Sequence, residues 1–172
     1  MKINIKNNYL YIDEFKLKCA VGKGGIKKNK KEGDGCTPKG QFKLGYIYYR
    51  KDRVNKLESA IPSKKIQKNY GWCDDSNDKK YNSLIKFNKN SNFKYERLFR
   101  KDSKYNYLIP VKYNYFRPIK NMGSAIFIHL TKDYKPTKGC IALSKKDFII
   151  LSKLIKKNSK IKNQLYFIID VV

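Results

Sequence analysis

The chain has 172 residues, which suits one folded domain with a core of its own. Its content of 41% hydrophobic and 14% aromatic residues argues against an intrinsically disordered chain. The formal charge is +26, and lysine carries nearly all of it, because arginine occurs only at positions 50, 53, 97, 100 and 117. Proteins that read nucleic acid usually concentrate arginine, whose planar fork pairs with phosphates and guanine, so we expect no physiological nucleic-acid partner.

The spacing of the cysteines and the lengths of the apolar runs exclude further classes of protein. The cysteines, at positions 19, 36, 73 and 140, form no CxxC pair. One histidine cannot complete a Cys–His zinc finger, so we expect free thiols, no metal site and no cofactor. The first 14 residues lack the continuous apolar stretch of a signal peptide, and no run of about 18 apolar residues indicates a transmembrane segment. The sequence as written therefore predicts a cytoplasmic protein, or a periplasmic or cell-wall protein if a leader was removed.

Short apolar or alternating runs predict three strands at the start of the chain, over 3–5, 9–12 and 15–21. A glycine- and lysine-rich loop follows, and we expect its lysine run, 27–31, to be solvated. An aromatic segment predicts the next strand, 40–50. Residues after this strand are polar and irregular as far as Lys104, and we interpret them as the elaborated wall of a site.

The last third of the chain predicts two strands, 105–112 and 125–130, and then a helix. Residues 144–147 have the form of a capping box, and an apolar stripe follows them. A strand over 163–172 closes the chain. We find no repeat and no linker, so we predict one mostly β domain over 1–172.

The only histidine, His129, ends an apolar run, and the pair Gly139 and Cys140 follows after a short polar loop. One thiol and one imidazole that meet in space are the minimal apparatus for acyl transfer through a thioester. The unperturbed imidazole pKa, about 6.5, suits a base near neutrality. Gly139 would allow a sharp turn that presents amide N–H groups to an oxyanion. Taken alone, Cys140 could also be a buried structural thiol and His129 a core histidine.

Three separated segments together resemble the YkuD-type L,D-transpeptidase family. Residues 33–42, which read Gly-Asp-Gly-Cys-Thr-Pro-Lys-Gly-Gln-Phe, are similar to a family motif that enters a strand. Residues 123–130 resemble the family's strand that ends in the active-site histidine. Residues 136–143 resemble its nucleophile segment. Residues 71–75, Gly-Trp-Cys-Asp-Asp, also look like one branch of the family.

The chain departs from the commoner family motif in two places. Lys138 occupies the position of a second histidine before the Gly–Cys pair, and the loop back to His129 is short. Ala142 occupies the position of an arginine. The first change should affect only loop packing. The second removes a guanidinium that would help to hold a substrate carboxylate.

The resemblance implies a YkuD-like β-sandwich or partly closed barrel with one or two helices packed on it. It also implies that Cys140 attacks the bond before the terminal D-alanine of a peptidoglycan stem tetrapeptide, with His129 as the base. Backbone N–H groups of Gly139 and Cys140 would hold the oxyanion, and Thr137 would orient the imidazole or line the site. The thioester would then pass to an amine, forming a 3-3 crosslink, or to water, trimming the stem.

Candidates for substrate binding are two arginines and two aromatic residues: Arg100, Arg117, Trp72 and Tyr105. Cys73 is expected to pack structurally or to form a pocket wall, and Cys19 and Cys36 are expected to be inert. Five charged residues would form either a buried polar network behind the site or a solvated surface: Asp74, Asp75, Glu96, Arg100 and Asp102.

Three alternatives follow from these interpretations. A cytoplasmic member of the family would meet recycled tetrapeptides and act as an L,D-carboxypeptidase, whereas crosslinking requires export. A basic nucleic-acid-binding protein with a vestigial site would show steep salt-dependent binding that does not need Cys140. A papain-like protease is disfavoured, because there the cysteine precedes its histidine by a long separation. The sequence does not predict the oligomeric state.

Overall fold

The computed structural model describes residues 3–162 and 168–172. The elements within these ranges are β1 (Ile3–Lys6), β2 (Tyr9–Ile12), β3 (Phe15–Ala20), β4 (Ile26–Lys27), β5 (Thr37–Pro38), β6 (Gly40–Lys43), β7 (Ile47–Tyr49), β8 (Ser63–Lys65), β9 (Tyr70–Cys73), β10 (Leu84–Lys86), β11 (Tyr95–Arg97), β12 (Tyr107–Pro110), β13 (Phe127–Leu130), β14 (Ile141–Leu143), α1 (Lys145–Lys162) and β15 (Ile168–Val171). The first five residues of the predicted last strand lie outside the described residues. Strands β1 to β3 and the helix confirm the predictions for those segments.

A ten-stranded sheet dominates the fold, in the order β6-β15-β1-β2-β3-β14-β13-β12-β7-β8. Strands β13 and β14 run parallel at its centre, whereas β12 and β3 are antiparallel to them on either side. A three-stranded sheet, β10-β9-β11, and the pair β4-β5 stand beside it. The described residues thus form a curled half-barrel with smaller sheets, which confirms the predicted mostly β class.

The predicted strand over 40–50 is wrong, because the chain forms two separate strands there. Strand β6 lies at one edge of the large sheet, whereas β7 pairs with β12 near the other. The chain turns at Gly45, whose N–H donates to the Pro110 carbonyl at 2.7 Å. Leu44 forms a bridge with Val111. These contacts draw the edge strand β6 toward the end of β12, so the sheet curls back on itself.

One face of the central strands packs against α1. Ile128, Ile141 and Phe148 are fully buried there, and the Tyr107 ring stacks on Phe148 with centroids 5.6 Å apart. The helix begins where the capping box predicts, since the Asp147 N–H donates to Ser144 Oγ at 3.0 Å. This helix lacks the apolar stretch that crossing a membrane would require, and it is the one helix of the described ranges.

Replacing Phe148 with alanine is expected to lower the free energy of unfolding by about 3–5 kcal/mol, because it leaves a cavity between helix and sheet. Urea denaturation measures this loss. Phe15 is 38% exposed and provides the matched control. Its replacement should cost less than about 1 kcal/mol. Equal losses for the two variants would contradict the placement of Phe148 in the core.

The opposite face of the same strands carries a second apolar cluster, which we call the site cluster: Tyr48, Ile66, Trp72, Leu98, Tyr105, Leu108, Phe127 and Cys140. Trp72 comes from the three-stranded sheet, and Leu98 follows that sheet's last strand. The polar middle segment therefore covers the face of the large sheet on which Cys140 lies, in agreement with its interpretation as a wall.

Candidate active site

His129 and Cys140 are placed by the two parallel strands at the centre of the sheet. The register pairs His129 with Ala142 and Ile128 with Ile141, so Cys140 lies one step earlier, beside Phe127. Paired residues of neighbouring strands project to the same face, and so do residues two apart. The imidazole and the thiol therefore lie on one face of the sheet, in or against the site cluster.

The sulfur of Cys140 is held by the backbone at the entrance to β13. Its Sγ accepts the Phe127 N–H at 3.4 Å, and the thiol donates to the Ala125 carbonyl at 3.3 Å. The residue is only 9% exposed. Burial raises the pKa of the thiol to about 12, and the negative charge of Glu96 acts in the same direction. The resting thiol is therefore protonated at neutral pH.

The imidazole of His129 is 7% exposed and neutral. Its Nδ1 lies 2.9 Å from the Leu130 carbonyl oxygen, so a proton on Nδ1 leaves Nε2 as an acceptor. Burial lowers the pKa of His129 to about 4, more than the hydrogen bond to Leu130 raises it, and the charges of Lys104 and Arg100 lower it further. The site thus rests as a neutral base beside a neutral thiol. No hydrogen bond joins the two side chains among the contacts of the described residues.

Thr137 organises the loop that presents Cys140. Its hydroxyl donates to the Cys140 carbonyl at 2.6 Å and accepts the Gly139 N–H at 3.1 Å. The resemblance implies that this N–H faces the oxyanion and that Thr137 orients the imidazole or lines the site. In the structure the Gly139 N–H is instead occupied by Thr137, and the imidazole is oriented by the Leu130 carbonyl.

The first family-like segment supports this loop from behind. Thr37 is fully buried, and its hydroxyl accepts the Gly22 N–H at 2.8 Å and donates to the Gly139 carbonyl at 2.9 Å. Gly139 adopts a φ of 132°, and a Cβ there would meet the Cys36 carbonyl oxygen at 2.8 Å. The sequence does not predict this role of Thr37, although the Thr-Pro step within the motif at 33–42 marks the position.

Replacing Gly139 with alanine is expected to lower the free energy of unfolding by about 2–4 kcal/mol, because left-handed strain adds to the clash with Cys36. Gly25 also has a positive φ, 75°, but a Cβ there meets nothing within 4 Å. Its replacement by alanine should therefore cost only about 1–2 kcal/mol, from backbone strain alone. Thermal and urea unfolding of both variants check this. Equal losses would show that the contact with Cys36 carries no weight.

Tyr105 connects the wall to the imidazole. Its ring meets His129 edge-on, with centroids 5.4 Å apart, and meets Phe127 at 5.8 Å. Its hydroxyl donates to Glu96 Oε1 at 2.5 Å. Arg100 lies over the same ring at 5.1 Å and forms an ion pair with Asp102 at 2.7 Å. Arg100 is thus beside the site, with a side chain that is 34% exposed.

The expected network of five charged residues forms only in part. Glu96, Arg100 and Asp102 are joined by ion pairs. Asp74 is half-buried, and the negative charge of Asp74 acts on Glu96. Asp75 lies elsewhere, in an exposed turn where its carboxylate accepts the Asn77 N–H at 3.0 Å. The backbone N–H groups of Asn77 and Lys94 donate to this carboxylate, so it does not join the network.

Trp72 and Arg117 are the remaining candidates for substrate binding. Trp72 is buried, its indole N–H donates to Asn82 Oδ1 at 2.9 Å, and its ring packs edge-on against Phe127 at 5.1 Å. Trp72 therefore supports Phe127, whose N–H contacts the Cys140 sulfur. Arg117 is exposed in the segment between β12 and β13. Cys73 is fully buried next to Trp72 and is a packing residue.

The expectation that the lysine run is solvated is wrong for Lys30, which is buried. It is 2% exposed, and its ammonium pairs with Asp34 at 2.8 Å. A Cβ at Gly123 would meet Lys30 Cε at 2.8 Å, so the lysine packs against the segment that leads into β13. Its positive charge acts weakly to lower the pKa of Cys140. The sequence gives no sign of this burial, because the partner Asp34 is recognised only after the loop has folded.

The four cysteines are free thiols, and within the described residues no group of three or more His, Cys, Asp or Glu side chains is arranged to hold a metal ion. A family model described as the L,D-transpeptidase catalytic domain, YkuD, matches residues 2–162. A search of curated proteins found no match to the chain.

Proposed function

We propose, since this chain belongs to the YkuD family of L,D-transpeptidase catalytic domains, that it is a cysteine acyltransferase acting on peptidoglycan stem tetrapeptides. Members of the family act on peptidoglycan peptides. The observation that carries the proposal is the placement of Cys140 and His129 on one face of two adjacent strands. Residues 1–172 would act as one catalytic domain.

The neutral resting pair favours general-base catalysis over a preformed thiolate–imidazolium pair. The Cys140 side chain turns away from the Ala125 carbonyl, and His129 Nε2 takes the thiol proton as sulfur attacks the carbonyl before the terminal D-alanine. The Cys140 N–H stabilises the oxyanion, since Thr137 occupies the N–H of Gly139. The C–N bond then breaks, and His129 returns the proton to the departing D-alanine amine.

The substrate's terminal carboxylate needs a cation that the usual motif supplies and Ala142 does not. Arg100 is the best placed of the two candidate arginines, because it lies over the Tyr105 ring that contacts His129. Asp102 occupies Nε and Nη2 of its guanidinium, Nη1 lies 3.6 Å from Glu96, and the side chain keeps 34% of its surface exposed. Tyr105 would form the wall next to the reacting bond, and Trp72 would support that wall.

Mass spectrometry of the protein with a stem tetrapeptide tests this function. The expected results are release of D-alanine and an adduct on Cys140 of the mass of the tripeptide acyl group. Tripeptide as the only further product would identify a carboxypeptidase, and a peptide joined to an added amine would identify a transpeptidase. Neither D-alanine nor an adduct would exclude the proposal.

A further inference from the structure

Glu96 lies within the candidate site, and the acylation step described above does not use it. Its carboxylate accepts the Tyr105 hydroxyl at 2.5 Å and lies 3.6 Å from Arg100 Nη1. The Tyr105 ring contacts the His129 imidazole and therefore lies between it and this carboxylate. The same ring also packs against Phe127, whose N–H contacts the Cys140 sulfur. The Glu96 side chain keeps 29% of its surface exposed, so an incoming molecule can reach it.

This carboxylate works against the first half of the reaction. Its negative charge raises the pKa of the Cys140 thiol and so opposes the loss of the thiol proton as the sulfur attacks the peptide. A site built only to form the thioester would place a cation there, as low-pKa thiols generally have. Partial burial of a carboxylate also costs free energy. Its position therefore points to the second half, in which the thioester meets the acyl acceptor.

Because the chain is strongly positive, an acyl acceptor that is itself a cation needs a local negative charge at the site. The net charge of +26 repels an approaching ammonium ion, and Arg100 and Lys138 are both close enough to act on Glu96. Water needs no such help. An alkylamine does, because at neutral pH it is an ammonium ion that must lose a proton before its nitrogen can attack.

We propose that Glu96 binds the ammonium group of the acyl acceptor and takes its proton, which equips the site for transfer to an amine. This inference rests on the proposed function and chooses between its two acceptors. Burial raises the pKa of Glu96 above its ordinary value, which makes it a better base than a solvated carboxylate.

Transfer of the acyl group to the amine uses two proton acceptors, Glu96 and His129. The ammonium gives one proton to the Glu96 carboxylate, and the free amine attacks the thioester carbonyl. His129 takes a second proton from the attacking nitrogen as the C–N bond forms. The C–S bond breaks, the sulfur of Cys140 takes the proton from His129, and Glu96 releases its own proton to water. The products are an amide, the free thiol and one proton.

The test compares two acceptors with a tetrapeptide donor: N-acetyl-lysine amide, which is an ammonium ion at neutral pH, and hydroxylamine, which is uncharged there. The measured quantity is the ratio of acceptor product to hydrolysed tripeptide. Glu96→Gln keeps an oxygen that accepts the Tyr105 hydroxyl but loses the charge. It should lower the ratio for the ammonium acceptor at least about tenfold and leave that for hydroxylamine within about twofold. Glu96→Asp should restore most of the transfer.

The matched control is Glu58→Gln, which removes the same charge beside α1, where Glu58 pairs with Lys156 at 2.7 Å. It should leave both ratios unchanged. In the unaltered protein, added salt should lower the ratio for the ammonium acceptor, because it screens the attraction to Glu96. If repulsion by the net charge dominated instead, added salt would raise the ratio. The direction of the change therefore distinguishes the two effects without any variant.

The outcomes separate the inference from the proposed function. Formation of the Cys140 adduct with equal ratios in Glu96→Gln, a ratio that salt raises, or tripeptide without any amine product would each overturn the role of Glu96 and leave the acyl transfer intact. Absence of the adduct in the unaltered protein would remove the proposed function and the inference together.

Discussion

Replacing Cys140 with alanine is expected to abolish the tripeptide adduct and to lower D-alanine release below detection. No other described thiol shares a sheet face with His129 in the adjacent register, so nothing replaces the nucleophile. Loss of a nucleophile from a catalytic pair typically costs at least about 10³-fold in rate. Intact-protein mass spectrometry and a D-alanine assay measure both effects. Cys140→Ser, which keeps a weaker nucleophile, should retain only trace activity.

Two other buried thiols provide matched controls for this prediction. Cys19 lies in the main core, and Cys73 lies behind Trp72. Their replacement by alanine should cost stability and leave the adduct in place. An adduct that persists in Cys140→Ala, or one that disappears in Cys73→Ala while the protein stays folded, would move the nucleophile away from position 140.

The predictions that succeeded are those that rest on local patterns. Alternating apolar residues fixed the first two strands, because every second side chain must enter the core: Ile3, Ile5, Leu10 and Ile12 are fully buried. Ser144 predicted the start of α1, because a hydroxyl at that position satisfies an N–H that the helix leaves unpaired.

The failures concern contacts between distant segments. Nothing near Gly45 in sequence indicates that Pro110 will accept its N–H and end the strand at 40–50. The three-stranded sheet was also missed, because its strands have only three or four residues each and lie in a polar segment. Lys30 was placed in solvent because its buried partner is visible only in the folded loop.

The sequence suggests the residues of the candidate site but not their electrostatics. Motifs single out Cys140 and His129 as candidates, and the parallel register of β13 and β14 puts the two side chains on one face. The direction of their pKa shifts depends on how deeply the wall buries them, which no motif encodes. The sequence suggests an imidazole pKa near the unperturbed value of about 6.5, whereas burial in the folded protein lowers it to about 4 and raises the pKa of the Cys140 thiol.

Replacing His129 with glutamine is expected to slow acylation of Cys140 about 10²- to 10⁴-fold at neutral pH, because the thiol loses the base that takes its proton. The thiol cannot compensate by ionising, since its pKa is raised to about 12. The rate of adduct formation from tetrapeptide, followed by mass spectrometry across pH, measures this loss. Leu130→Ala in the same strand changes the apolar core on the opposite face and serves as the control, with the acylation rate reduced far less.

The pH dependence distinguishes a lost base from a disturbed structure. With a pKa of about 4, the imidazole is already unprotonated above about pH 5, so the acylation rate of the unaltered protein should be nearly constant through neutrality. Without His129 the reaction depends on thiolate, so its rate should rise about tenfold per pH unit well below the thiol pKa. Parallel pH profiles for the two proteins would contradict the role of His129.

Stability provides an independent measure of the same imidazole. Its pKa in the folded protein, about 4, lies below the unfolded value, so protons bind preferentially to the unfolded chain between the two. The contribution is therefore present above about pH 6.5 and lost as the pH falls toward 4, by an amount on the order of 3 kcal/mol. Because the chain has one histidine, the stability difference between the unaltered protein and His129→Gln isolates this term. A difference that stays constant from pH 7 to pH 4 would mean that the imidazole is solvated, and a solvated imidazole would not be held as a neutral base beside Cys140.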